Sequence, residues 1–299
     1  MRADPNYISS LALSIDHSSS TAAALTTELS SGLRVSSLQD DPVAAAQSSL
    51  IGSAIAKDDT YVQTASSDAS MLQVTDSTLG EVVTQLTSAL SLAVQGNDGT
   101  LNASNLTTIE QQLSGIRDQV LSLANTSYLG SSLFAGSHGS VKPFVLDTST
   151  TPATVNYVGD TNVQYLETPS GQKIQVNLPG SSVFGTSTSG VFGALNQLIA
   201  DFSSGASSTT ITTDTSSLKT ALGQVSQQRS ILDSSLSRVQ STSTYAQTDA
   251  SQLTVQQSTL VAADTASVAT QLSSQETQYQ ALLSVMTGLE KTDLFDYLK

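Results

Sequence analysis

The sequence predicts a mainly α protein: a long antiparallel helical bundle or coiled coil built from both chain ends, with a small β-rich domain inserted between them. Three observations predict it. The six prolines fall at 5, 42, 143, 152, 169 and 179, leaving 43–142 and 180–299 free of them. An interior proline costs a helix ~3 kcal/mol, so long helices fit those two stretches and not the segment between. Apolar residues recur at alternating steps of three and four on both sides of that segment. Charged residues are 12% of the 299 and aromatics 5%, with no tryptophan, so one compact core would be weak. Long helices that complete their burial against copies of themselves suit such a chain.

The first beat runs through Ile8, Leu11, Ile15, Ser18, Ala22, Leu25 and Leu29 and stops at Gly32. The second runs from Ile51 through Ile55, Asp58, Val62, Ala65, Ala69, Leu72, Asp76, Leu79, Val83, Leu86 and Leu90 to Ala93. It would span roughly 60 Å as an α-helix. "QGNDGT" (95–100) breaks it, and a third helix through Leu106, Ile109, Leu113, Ile116, Val120 and Leu123 is long enough to fold back as an antiparallel partner. From 139 the texture becomes β-rich, with "ATVNYV", "NVQYLE" and "KIQVNL" as strands and "PSGQ" as a hairpin turn. "GVFGALNQLIADF" (190–202) reads as a short helix and "SSGASSTT" as a link.

The last long helix is predicted from near Thr213 or Asp214, through Leu218, Leu222, Val225, Arg229, Leu232, Leu236 and Val239. Its beat thins between 241 and 267. It returns one residue out of phase at Val268, Leu272, Tyr279, Leu282, Met286 and Leu289. Such a slip reads as a change of packing partner along a long helix, or alternatively as a hinge. Asp58 and Asp76 occupy apolar-seam positions, where a paired acid can fix register; the other reading is that the seam is open there.

Chemistry is mostly excluded. The net charge is −14 with 11 Lys plus Arg and no basic block, which argues against nucleic acid and against anionic membrane surfaces. Cysteine is absent, and the two histidines, His17 and His138, form no zinc motif, so no metal or cofactor is expected. "GSHGS", "GTSTSG" and "SSGASS" lack the lysine of a phosphate loop, and no serine has a base and elbow. Asn102, Asn105 and Asn125 begin N-x-S/T triplets that chance explains in so Ser/Thr-rich a chain. No catalytic residue is expected, and the chain reads as a non-enzyme. No stretch approaches the ~18 apolar residues of a membrane span, and the N-terminal residues lack a Sec-type apolar region.

One connector stands out: "LSSGLRVSSLQDDPVAAAQ" (29–47). Gly32 can end the first helix with φ > 0. Asp41 can cap the next, with Pro42 in its first turn, and Asp40 adds charge at the positive helix end. Arg34 can tie a loop carboxylate or carbonyl. As a set, Gly32, Arg34, Asp40, Asp41 and Pro42 resemble the loop joining the first two N-terminal helices in the bacterial flagellin superfamily. The proline after the double aspartate is more similar to its hook-associated protein 3 branch than to flagellin, which usually has alanine there.

Three further stretches agree. "LANTSYLGSSLFAGSHGSVKPF" (123–144) is similar to the branch's F-A-G turn, here Phe134, Ala135 and Gly136, followed by Pro143 and Phe144. "NYVGDTN" (156–162) and "SVFG" (182–185) resemble its Y-x-G-D and V-F-G marks, and "YQALLSVMTGLEKTDLFDYLK" its closing helix. The resemblance covers essentially the whole chain. It departs after Arg229, where "SILDSSL" lacks the glycine the family often has, and within 145–190, which matches only at its marks.

The resemblance implies a flagellin-like fold and a structural role at the hook–filament junction. It implies an inner N-terminal helix (1–35), a helical hairpin of a second layer (36–138) and a β-rich outer insert (139–190). A short helix, link and returning helix (191–263) and an inner C-terminal helix (264–299) complete it. Subunit-contacting positions would be Ile8, Leu11, Ile15, Leu25, Leu29, Val268, Leu272, Tyr279, Leu282, Leu283, Met286 and Leu289. Implied partners are copies of the chain in a ring, a neighbouring junction protein on the hook side, flagellin on the filament side, and an export chaperone on the C-terminal helix. The implied location is the extracellular flagellum, reached through its type III export apparatus without a cleaved signal. Seam positions diluted by Ser18, Ala22 and Gln275 suit ends that become firm on assembly. The alternatives are flagellin itself and, more distantly, a non-flagellar coiled-coil scaffold or adhesin stalk.

Overall fold

The structure, a computed structural model, describes residues 5–98, 101–150 and 153–297, with side chains from Tyr7 to Gly288 within those ranges. Its elements are α1 (Pro5–Ser31), α2 (Pro42–Gly96), α3 (Ala103–Ala124), α4 (Gly180–Phe184), α5 (Gly190–Ser204), α6 (Ser208–Val261) and α7 (Thr265–Tyr297). Three antiparallel strand pairs lie between α3 and α4: β1 (Ser127–Tyr128) with β2 (Ser131–Ser132), β3 (Phe144–Asp147) with β4 (Thr154–Tyr157), and β5 (Tyr165–Glu167) with β6 (Lys173–Gln175). The chain divides into two compact units whose boundaries fall inside α2 and α6: Met1–Ala56 with Asp249–Lys299, and Lys57–Thr248.

The second unit holds the large apolar core, which runs without a break from Tyr61 to Ala246. Leu72, Leu79, Val82, Leu86 and Ala93 of α2 are buried in it with Leu113 and Val120 of α3 and Leu218, Val225 and Val239 of α6. These spacings of three and four are what a helix needs to keep one stripe inside. α5 is buried on nearly every face, from Val191 through Leu195, Leu198 and Ile199 to Phe202. Around it four phenylalanines meet: Phe144 lies 5.3 Å from Phe184 and 5.1 Å from Phe192, and Phe134 lies 5.1 Å edge-on to Phe184. Four of the chain's six phenylalanines are thus spent in one place, where each ring adds packing beyond its area.

Asp76, on the apolar beat of α2, is paired. Arg229 of α6 grips it in two-pronged fashion, Nε to Oδ1 at 2.5 Å and Nη2 to Oδ2 at 3.0 Å. That pair fixes the register of α2 against α6. The Arg229 hydrogen bond holds the Asp76 carboxyl below the usual carboxylate range. Asp58 is buried.

Three elements differ from the sequence expectation. α6 begins at Ser208 rather than near Thr213, because Ser207 Oγ accepts the Thr210 N–H and caps the helix inside the supposed link. The one-residue slip is a true interruption: α6 ends at Val261 and α7 starts at Thr265, with Asp264 Oδ1 accepting the Ala266 and Ser267 N–H groups. The β1–β2 hairpin within "TSYLGSS" has no counterpart in the sequence expectation. Its turn places Leu129 and Gly130 at φ 50° and 82°, and a leucine there gives no sequence signal for a two-residue hairpin.

In the first unit α1 and α7 pack antiparallel, as the Leu33–Ala262 bridge and the Gln275–Ser18 bond place them. The seam is thin. Among the described side chains of the two helices only Leu11, Ser18 and Val268 are buried.

Candidate functional site

The connector after α1 is built around its three charged residues. Gly32, at φ +69°, ends the helix and donates its N–H to Glu28 O at 2.9 Å. The loop then runs beside the α6–α7 interruption: Arg34 N–H donates to Val261 O at 2.8 Å, and Ala263 N–H to Gly32 O at 2.9 Å. Arg34 uses both its expected options. Its Nη1 meets Asp41 Oδ2 at 3.4 Å and its Nη2 donates to Leu260 O at 3.2 Å, satisfying a carbonyl at the C-terminal end of α6.

The two aspartates divide the work. Asp41 Oδ1 accepts the Val43 and Ala44 N–H groups and caps α2, with Pro42 as its first residue. Asp40 serves the loop rather than the helix end: its Oδ2 accepts the Ser36 N–H at 2.9 Å, the Ser37 N–H at 2.8 Å and the Ser36 hydroxyl at 3.0 Å. Both carboxyls are held below their ordinary range, Asp40 by the Ser36 N–H and Asp41 by the Ala44 N–H, with Arg34 adding to the latter. This cluster fixes how α1, α2, α6 and α7 join within the first unit.

The candidate contact residues at the ends divide into two sets. Leu11 and Val268 are buried, and Ile8, Ile15, Leu25, Leu272, Tyr279, Leu282 and Met286 are half-buried, on the periodic face that α1 and α7 share. Within the chain this face forms the seam between α1 and α7. Leu29 and Leu283 are exposed, and the Leu289 side chain lies outside the described residues. The open apolar surface of the first unit is carried mainly by residues off the beat: Leu13 (71% exposed), Leu50 (73%), Val43, Val255 and Val285. Leu50 borders a shallow groove between α2 and α6 lined by Gln47, Ile51, Gln256, Thr259 and Leu260. Their only sequence signal was being apolar where the helical period called for polar residues.

A second cluster gathers the middle motifs. Gly136 turns at φ +72°, and the Tyr157-Val158-Gly159-Asp160 stretch docks on that turn. Asp160 accepts the N–H and hydroxyl of Ser137 and the N–H of Asn162, and these bonds lower its pKa to about 2. Its own N–H donates to Ala135 O at 3.2 Å, and the Tyr157 hydroxyl reaches Phe134 O at 3.1 Å. Gly180, at the start of α4, donates to Phe134 O at 2.8 Å, which brings the Val183-Phe184-Gly185 stretch to the same knot. His138 is exposed, with Nδ1 3.5 Å from Asp160 Oδ2. Ser137, His138 and Asp160 do not form a nucleophilic triad: the carboxylate, not the imidazole, holds the serine hydroxyl, and a carboxylate with a pKa of about 2 is too weak a base to withdraw its proton. Among the described residues no group of three His, Asp or Glu side chains could hold a metal, and no helix is long and apolar enough to cross a membrane.

Comparison with known proteins agrees with this architecture. Residues 6–139 match the bacterial flagellin N-terminal helical region. The chain is similar to flagellar hook-associated protein 3 of Escherichia coli (strain K12), 24% identical over 295 residues that cover 91% of each chain. It is also similar to flagellar hook-associated protein 3 of Salmonella typhimurium, 29% identical over 163 residues, 54% of this chain and 50% of that protein. Two Legionella pneumophila structures share the fold. Flagellar hook-associated protein-3 has a TM-score of 0.63 at 14% identity, covering 71% of this chain and 98% of its own. A flagellar junction protein has a TM-score of 0.58 at 16% identity, covering 73% and 100%. With the capped connector and the F-A-G turn on one chain, the protein is similar to flagellar hook-associated protein 3 over nearly its whole length, and its residues 6–139 match the bacterial flagellin N-terminal helical region.

Proposed function

We propose that the chain is the hook–filament junction subunit of a bacterial flagellum, a structural protein and not an enzyme. Its relatives that carry the name hook-associated protein 3 support this reading, over 91% of the chain in one case. The observation that carries the mechanism is the imbalance between the two units. The second is filled by a continuous core, whereas the first buries Leu11, Ser18 and Val268 along its α1–α7 seam and leaves Leu13, Leu50, Val43 and Val255 open to solvent. Exposed apolar surface on paired helices is a contact surface awaiting its partner.

In this reading copies of the chain associate side by side through the first unit to form a ring. The ring meets a neighbouring junction protein toward the hook and flagellin toward the filament. Before assembly, Leu283 and Val285 on the open side of α7 offer an apolar grip for an export chaperone. The protein works outside the cell, delivered through the flagellar export route. A strain lacking it should keep its hooks, shed unpolymerised flagellin and fail to swim. Normal filaments in that strain would overturn the proposal. Long filaments formed by the purified chain alone would favour a flagellin instead.

A further inference from the structure

Four helix ends meet at one level of the first unit, and each carries its own terminator. α1 stops at Gly32, whose positive φ ends the helix and around which nothing lies within 4 Å of where a Cβ would stand. α2 is opened by Asp41, whose Oδ1 accepts the Val43 and Ala44 N–H groups. At the end of α6 the Leu260 carbonyl accepts from the Arg34 guanidinium at 3.2 Å. α7 is opened by Asp264 Oδ1, which accepts the Ala266 and Ser267 N–H groups. The two gaps face each other through the antiparallel Leu33–Ala262 bridge. A frayed helix leaves its terminal groups to water, whereas this break is encoded at both gaps and at the same height.

The connector from 33 to 41 is long but not slack. Arg34 ties it to Asp41 and Leu260, Val35 is buried, and Asp40 holds Ser36 and Ser37. These ties run to α2, to α6 or within the connector. On the other side, Gln275 Nε2 donates to Ser18 Oγ at 2.9 Å and joins α7 to α1. The chain passes between the two halves at Gly32 and at 262–264, and the Ala263 N–H bond to Gly32 O links these crossings to each other. That bond lies along the line between the gaps, so a turn about the line breaks no helical hydrogen bond. We propose that the α1–α7 pair swings as one arm about the Gly32–Ala263 line, while Arg34 pins the connector to the α2–α6 side. A few residues at the ends of helices absorb such a motion. Its use where two lattices meet rests on the function proposed above; the hinge itself does not.

The chain has no cysteine, so spin labels can be placed on the full protein at chosen exposed positions. Ser20→Cys with Ser273→Cys reports the distance within the arm, and Ser20→Cys with Ser53→Cys the distance from arm to α2. Double electron–electron resonance on the isolated chain should give a narrow distribution for the first pair and one several times broader for the second. Arg34→Gln frees the connector and moves the pivot outward from Gly32. It should broaden the second distribution further, leave the first unchanged and keep the helix content seen by circular dichroism. Two equally narrow distributions would overturn the hinge, and two equally broad ones would overturn the arm. An unchanged second distribution in Arg34→Gln, or a loss of helix there, would overturn the pin. Because the labels are read on the isolated chain, a failure of the junction role in a deletion strain leaves this result standing and is told apart from it.

Discussion

Replacing Gly136 by alanine tests whether the middle motifs are locked together around the F-A-G turn. Gly136 has φ +72°, where a side chain costs about 1–2 kcal/mol of backbone strain. An added Cβ would also sit 2.0 Å from Asp160 Oδ1 and 2.6 Å from the Asp160 backbone oxygen. The carboxylate can swing aside at the expense of its bonds to Ser137 and Asn162; the carbonyl cannot move without shifting the chain. Such overpacking adds about 1–3 kcal/mol. The lost freedom of the unfolded chain returns about 0.4–1 kcal/mol. The net expectation is a loss of about 2–4 kcal/mol. Gly171→Ala supplies the control in the same unit, at φ +85° with nothing within 4 Å, and should cost about 1 kcal/mol or less. Urea unfolding with a fixed slope reads both values. Equal losses from the two variants would show that Asp160 does not close on the turn in solution.

Four other outcomes are expected. Leu86→Ala, at a fully buried position of α2, should lower stability by about 2–5 kcal/mol in urea unfolding. A double-mutant cycle on Asp76→Asn and Arg229→Gln should give a coupling of about 0.5–1 kcal/mol, modest because the Arg229 side chain is 38% exposed. Since Arg229 depresses the Asp76 pKa, that contribution is present above the unfolded carboxylate value and fades as pH falls through the folded one; Asp76→Asn should flatten the acid limb of the stability profile. Leu13→Ser and Leu50→Ser should leave monomer stability within about 0.5 kcal/mol while weakening self-association in sedimentation measurements.

Much of this fold is legible in the sequence because helices announce themselves through period and punctuation. The beat from Leu72 to Ala93, the cap at Asp41-Pro42 and the Pro169–Gln172 turn all rest on local chemistry that a chain carries wherever it folds. What the sequence withholds is what depends on a distant partner. The break after Val261 is held by the loop from Gly32 to Val35, more than two hundred residues away, so the phase slip alone could not separate a hinge from a repacked helix. Asp40 turns toward Ser36 and Ser37 because the loop doubles back, which spacing does not reveal. The apolar period likewise finds seams without saying whose seam it is. It points to Leu11 and Val268, which the chain uses internally, and passes over Leu13 and Leu50, which face solvent.

Amide hydrogen exchange, compared between the isolated chain and assembled rings, bears most directly on the proposal that the first unit is completed by neighbours. In dilute solution the amides of α1 and α7 should exchange orders of magnitude faster than those of α2 and α3 around Leu79 and Leu113, and should slow sharply on assembly. Protection of α1 and α7 equal to that of the core in the lone chain, unchanged when copies are brought together, would contradict it.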